Sequence, residues 1–464
     1  MRLNHNTLAY AANSNLNAIN NNLTRSMERL SSGYKINKSS DDPAAYAISQ
    51  KMQAQIDGLK RATNNANDGI SMIQTGEGAL NEVHSILARI RELTVQAANE
   101  TYDEEDKDAM QAEIKQMQAE IDRIAETTDF NGRKLLNGEL NKKGYVDTND
   151  LSIVEIGGDI DPGEYGITVT GTGTQAQNSI NVLPDNYVVP KANEGTLLIN
   201  NFEIEIKEGM TGAEVNSKIR DAAYKIGIDY DMQSGALTTQ EYGSKQSITV
   251  KSANDNVAAL FGATGETTYG SNAEAEFTQQ GGARVGFKDT ATIETQGNRI
   301  TVTDKNGFKM VYDVEPGSAA AADVTANITV LSAGPMVFQV GSDEGQVMNV
   351  NIGKTTVESL GIDKINIYTN AYAQDALGKI DDAIVKVSDI RSALGAIQNR
   401  LDYTVTNLET ADENLTSAVS RIKDTDMAEE ITEYTERNVL SQSALQMLTR
   451  SNARPEGLLQ LFQR

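Results

Sequence analysis

Between residues 387 and 422, apolar side chains return every seven positions: Val387, Leu394, Leu401, Leu408, Leu415 and Ile422. A second row, Ile390, Ile397, Thr404, Ala411 and Ala418, sits three residues behind. A seam sustained over five heptads specifies a long helix packed lengthwise against other helices. At 1.5 Å per residue it spans roughly 54 Å, more than a compact domain needs. Val405 and Val419 widen the stripe to a second face, which asks for more than one partner helix.

The partners have to come from the same sequence or from another copy of it. Near the start, Leu16, Ile19, Leu23, Met27 and Leu30 step by three and four through a background of Asn, Ser and Thr. That stripe is too narrow to hold an isolated helix together. Asp42 followed by Pro43 is a helix start, with Asp42 as N-cap and Pro43 at the first helical position. Residues 44–99 then carry Leu59, Ala66, Ile73, Leu80 and Leu87 at seven-residue steps. The companion positions drift around the helix near Glu77, because 3.6 residues per turn does not divide seven.

Thr101 and Glu104 form a capping-box pattern, and Met110, Ile114, Met117, Ile121 and Ile124 predict a third helix folded back on the second. From about residue 141 to 334 the composition turns to Gly, Thr, Val, Asn and Asp, and helical periodicity stops. Residues 196–207, 247–251, 299–303 and 308–313 read as strands, and residues 211–226 as a helix among them. A hairpin is expected at 336–340 and 347–352. After the long seam, a break at 423–426 precedes a last amphipathic segment carrying Leu445 and Leu448. Pro455 is expected to interrupt it before an apolar patch containing Leu459 and Leu461.

The expected fold is α+β and multidomain: a long helical coiled-coil or bundle core made by both chain ends, with an inserted β-rich outer domain. Residues 1–43 and 423–464 make inner-core helices. Residues 44–140 and 335–422 make the outer core, and residues 141–334 form a surface insert of one or two subdomains. Two narrow terminal stripes satisfy each other best by pairing, within one molecule or between neighbours.

Composition closes off several functions. The chain has 464 residues, a net charge of −24 and no basic block, which argues against nucleic acid as a partner. It has no cysteine, so no disulfide and no thiolate metal site. His5 and His84 are its only histidines and lie far apart, and the insert lacks the His-Glu-x-x-His of a zinc protease. No enzyme activity, cofactor or metal is expected. No apolar run is long enough to insert in a membrane, and the N-terminal segment has no secretory core. Asn-x-Thr triplets at Asn22, Asn327 and Asn414 read as chance matches to a glycosylation acceptor.

Specific motifs go further. Residues 30–37 (LSSGYKIN), 41–44 (DDPA), 47–49 (AIS), 67–71 (NDGIS), 91–97 (RELTVQA) and 130–132 (FNG) resemble the N-terminal signature of bacterial flagellin. Residues 338–341 (FQVG), 394–401 (LGAIQNRL) and 420–422 (SRI) are similar to its C-terminal signature. The resemblance implies an extracellular subunit of the flagellar filament, self-assembling as a homo-oligomer and exported by the flagellar type III apparatus. It implies an export chaperone at residues 427–464, and filament cap and hook-junction proteins as further partners. A hook-filament junction protein and an adhesin acting through the insert are the alternatives.

The residues it assigns to packing are Leu16, Ile19, Leu23, Leu30, Leu59, Ile73, Leu80, Leu87, Val387, Leu394, Leu401, Val405, Leu408, Leu415, Val419, Ile422, Leu445, Leu448, Leu459 and Leu461. The resemblance also implies recognition by the vertebrate toll-like receptor for flagellin through Arg89, Leu93 and Glu113, with Leu87 and Gln96 nearby. Taken alone, Arg89 and Glu113 read as solvated charges. The C-terminal residues Leu461-Phe462-Gln463-Arg464 depart from the Leu-Leu pair usual in that family.

Overall fold

The periodic rows become helices whose ends are set by local chemistry. A computed structural model describes residues 6–99, 101–157, 160–280, 283–305, 308–315, 324–331 and 334–462, without the side chains of 280, 283 and 455–462. Helix α1 runs Thr7–Ser32, where the Asn6 side chain accepts from the Ala9 amide and Gly33, at φ 77°, provides the left-handed C-cap. Helix α2 is Pro43–Ala97, and Asp42 Oδ1 accepts from the Ala45 amide as an N-cap should. Helix α3 is Glu104–Thr127. Its N-cap is Asp103, which accepts from the Asp106 amide, and not Thr101: the carboxylate nearer the first turn wins the orphan donor.

The chain divides into two compact units, the first comprising residues 1–68, 339–347 and 401–464 and the second residues 69–338 and 348–400. The second unit contains two nested β-rich modules. In the outer module, two four-stranded antiparallel sheets contribute to one core. One sheet orders its strands Glu274–Phe277, Gly163–Gly171, Val324–Val330, Gly144–Val146, and the other Thr292–Gln296, Arg299–Thr303, Lys309–Val314, Leu151–Ile156. Tyr165, Phe277, Phe287 and Phe308 cluster there with ring centroids 5.0–5.7 Å apart.

The inner module is inserted between strands Gly163–Gly171 and Glu274–Phe277. It packs helices α4 (Gly212–Lys225) and α5 (Asp255–Phe261) on a three-stranded and a four-stranded sheet. Helix α4 opens with a complete capping box between Thr211 and Glu214. The stretch 196–207, expected as a single strand, is instead the hairpin Gly195–Ile199 and Phe202–Ile206. Asn200 and Asn201, at φ 48° and 66°, adopt the left-handed conformation that a two-residue hairpin turn demands. Asn272 pins the modules together, since its Oδ1 accepts from Ser244 and Gly297 and its Nδ2 donates to the Thr295 carbonyl.

Both modules are tied to the helices of the second unit. After the short helix α6 (Val357–Leu360), helix α7 runs Asn370–Lys423 and contributes its residues through Arg400 to this unit. On α7, Lys379 pairs with Glu241 of the inner module at 3.3 Å, and Lys386, one heptad on, pairs with Glu155 of the outer module at 2.5 Å. Between α3 and α7, the buried Gln111 and Gln118 amides donate to the carbonyls of Ile365 and Ile362 and so satisfy a segment with no ladder of its own. On α4, Lys225 reaches Glu104 at 2.6 Å and Asp108 at 3.0 Å, while Tyr368 Oη donates to Asp108 at 2.6 Å.

Burial disfavours the Asp108 carboxylate, but the hydrogen bonds from Tyr368 and Lys225 outweigh it and hold its pKa below the ordinary 3.8. A depressed carboxylate contributes stability that is complete above 3.8 and is lost as pH falls through the folded value. Hydrogen exchange should therefore show the 104–108 and 366–368 backbones losing protection below about pH 4. Protection there that is unchanged down to full protonation would remove Asp108 from this role.

Candidate assembly and recognition surfaces

In the first unit, α1 pairs antiparallel with helix α8, Met427–Phe462. The polar background of α1 supplies the cross-links. Arg437 donates to Ser26 Oγ at 2.6 Å and to the Asn22 carbonyl at 3.2 Å, and Ser441 Oγ donates to Asn20 Oδ1 at 2.9 Å. Glu430, buried, faces Arg29 at 3.5 Å. At one end of the pair the Lys35 amide donates to the Lys423 carbonyl, and the Thr425 amide to that of Gly33. The Lys423 ammonium lies 4.4 Å from the Tyr34 ring centroid.

At the other end Asn6 Nδ2 donates to the Ser451 carbonyl at 2.9 Å. Ser451 lies four residues before Pro455, and proline has no N–H to give it. The expected interruption is thus absent, since α8 continues to Phe462 and an α1 side chain takes the place of the missing donor. Sequence reading missed Arg437, Ser26 and Asn20. The available signal was the run of small polar residues along α1, which read as a weakness of the helix and not as its means of attachment.

This pairing leaves much apolar surface uncovered. On α8, Ile431, Val439, Leu440 and Met447 are exposed, as are Leu8, Tyr10 and Met27 on α1. Of the expected packing residues in this unit, Leu59, Leu401 and Leu408 are buried, with Leu59 and Leu408 in one apolar cluster against Leu415. Leu16, Ile19, Leu23, Leu30, Val405, Leu415, Val419, Ile422 and Leu448 are half-buried, and Leu445 is 54% exposed. The side chains of Leu459 and Leu461 lie outside the described residues. Ile73, Leu80, Leu87, Val387 and Leu394, all in the second unit, are completely buried. Along α7 the heptad row thus passes from full burial at Val387 to half-burial at Ile422.

On the face shared by α2 and α3, Arg89 bridges Glu92 at 2.7 Å and Glu113 at 3.1 Å. Those two hydrogen bonds, Glu92 first, raise the guanidinium pKa above its ordinary value. Arg89, Glu113 and Gln96 are exposed. Leu87 and Leu93, expected beside them as contacts, are 0% and 3% exposed and lie in the core. Leu93 is one turn from Arg89, but the α2 stripe through Ile90 and Ala97 draws it inward. In the isolated subunit both leucines support this surface from beneath.

Among the described residues no group of three or more His, Asp or Glu could hold a metal ion, and no helix is long and apolar enough to cross a membrane. Helical ends with half-covered apolar stripes, flanking a β-rich insert, define a structural subunit built to be completed by neighbours. Comparison with known proteins supplies the family. Residues 3–141 match the bacterial flagellin N-terminal helical region, and residues 377–462 match the bacterial flagellin C-terminal helical region. A flagellin of Clostridium tyrobutyricum is 35% identical over 97% of this chain and 99% of its own length. One from Salmonella muenchen is 32% identical over 99% of each. Among solved structures, FliC from Burkholderia pseudomallei covers 72% of this chain and 99% of its own, at 18% identity and a TM-score of 0.24.

The chain belongs to the bacterial flagellin family. It is a structural subunit of the extracellular flagellar filament and not an enzyme.

Proposed function

We propose that the uncovered apolar side chains of α1 and α8 are the contacts through which subunits join, with residues 1–43 and 423–464 in the inner layer of the filament. Residues 44–140 and 335–422 then form its outer layer, and residues 141–334 the exposed insert. The observation that carries this reading is the exposure of Ile431, Val439, Leu440 and Leu445 on a helix already paired with α1. Apolar surface of that kind is unfavourable in water and is stabilised by a partner. Before export through the type III apparatus the same surface suits a chaperone, and at the filament end it suits the cap and junction proteins. Removal of α8 is the direct test.

The face around Arg89 and Glu113 is the proposed contact for the toll-like receptor. What supports it is a fixed charge pair between two helices, with exposed Gln96 nearby on α2 and a rigid apolar floor below. Replacing Arg89→Ala and Glu113→Ala together is expected to weaken binding to the receptor ectodomain tenfold or more, on the order of the 1.4 kcal/mol that one lost charged contact commands. Circular dichroism should stay unchanged, because the pair is solvent-exposed. Unaltered affinity would dismiss this surface.

A further inference from the structure

In the second unit of this acidic chain, a groove gathers more lysines than carboxylates. The groove, of about 940 Å³, lies between the inner module and the α3 and α7 helices of the second unit. Six lysines line it against three carboxylates, or five once Glu104 and Asp108, which pair with Lys225, are counted, although the whole chain carries a net charge of −24. Lys225 and Lys379 are taken up by ion pairs that hold the module in place. The other four, Lys115, Lys245, Lys251 and Lys364, are exposed and enter no ion pair among the described residues.

These four come from different walls. Lys115 is on α3 and Lys364 on the segment preceding α7, while Lys245 precedes the strand Ser247–Ser252 and Lys251 lies within it. In that strand Ile248 and Val250 turn into the module core, so Ser247, Thr249 and Lys251 face the groove. Lys245, in the turn before the strand, and Lys251, near its end, spread charge along the groove, as suits a linear ligand of several units.

Between the charges the lining is amide and hydroxyl, with Gln240, Gln246, Thr249 and Thr267 on the module side. Tyr224, 69% exposed, presents an apolar ring with a polar tip at the edge. The walls are fixed before any ligand arrives: Asn200 Nδ2 donates to Tyr372 Oη at 2.8 Å, and Asn366 Nδ2 to the Lys225 carbonyl at 2.7 Å. A concave, positively lined cleft focuses its field on anions. Its concave shape favours a slender chain over the broad flat contact that a protein partner needs.

We infer that this groove binds an acidic oligosaccharide, with Lys115, Lys245, Lys251 and Lys364 meeting its carboxylate or sulfate groups and Tyr224 stacking on a sugar face. The site is separate from the α1–α8 surfaces and from the Arg89 face, so its failure would leave both of those readings intact.

The test uses the full chain held monomeric, titrated calorimetrically with oligogalacturonate, with heparin oligosaccharide, with a neutral glucan and with inorganic polyphosphate. Micromolar binding of either acidic glycan, with none of the glucan, is expected. The two acidic arms show whether carboxylate or sulfate is preferred. Lys251→Glu with Lys364→Glu should weaken that binding at least tenfold, and Tyr224→Ala should weaken it without changing its salt dependence. Circular dichroism confirms that the variants are folded. Absence of binding, affinity unaffected by the lysine changes, or polyphosphate binding as tightly as the glycans would each overturn the inference. Self-association that the lysine changes abolish and acidic glycans fail to compete would overturn it too, by assigning the groove to a second copy of this chain.

Discussion

A chain ending at Asp426 is expected to remain monomeric and to lose more helix than the cut removes. The reason lies in α1. Its 26 residues are rich in Asn, Ser and Thr, poor helix formers that compete with the backbone for hydrogen bonds. An isolated helix of that length and composition is marginal in water. Its buried Ser26 and its bonds through Asn6, Asn20 and Asn22 all involve α8. Circular dichroism of the truncated chain should therefore fall by close to the combined length of α8 and α1, and light scattering should detect no polymer on seeding. Normal filaments from the truncated protein would refute the assembly role given to this pair.

The second large effect is expected at Lys386. Its ammonium and the Glu155 carboxylate are 17% and 11% exposed, 2.5 Å apart, and the same nitrogen donates to the Ser359 carbonyl at 2.7 Å. Burial lowers the lysine pKa, and attraction to Glu155 only partly offsets that. Lys386→Ala leaves a carboxylate buried without its partner, a change that costs about 3–5 kcal/mol. Replacing both residues, Lys386→Met with Glu155→Leu, should recover most of the loss, because neither charge then has to be desolvated. Chemical denaturation of the single and double variants separates the two cases. A cost below about 1 kcal/mol for the single change would show that water reaches the pair.

The helices were legible because a seven-residue repeat needs no knowledge of the partner. Leu80, Val387, Leu394 and Leu401 are completely buried, as their spacing requires. The half-burial of Leu415 and Ile422 was not legible, since periodicity marks an apolar face without saying how much of it a single chain covers. Leu93 shows a limit of another kind: the family resemblance sets it beside Arg89 as a contact, yet the drift of the α2 stripe takes it into the core.

Most opaque were contacts between distant positions. Nothing near Lys386 points to a carboxylate 231 residues away, and nothing around Gln111 or Gln118 predicts that their amides satisfy carbonyls beyond the insert. Local chemistry also competes with itself. Thr101 and Asp103 could each cap α3, and a carboxylate at a helix N-terminus outranks a hydroxyl two residues earlier. The Asn200-Asn201 turn was hidden because its flanking strands, 195–199 and 202–206, run together as one apolar-rich stretch.

The bond from Asn6 to the Ser451 carbonyl acts as an alignment mark between the two ends of the chain. A pair of long helices with narrow stripes can slide by a heptad and still cover much of its apolar surface. Pro455 gives the interior of α8 one carbonyl without its helical donor, and Asn6, already the cap of α1, meets it in one alignment only. A slipped pairing loses the bond from Asn6, and a carbonyl left unmet away from water costs about 1–3 kcal/mol. A proline that reads as a flaw in the last helix thus supplies a point of attachment between the two ends of the chain.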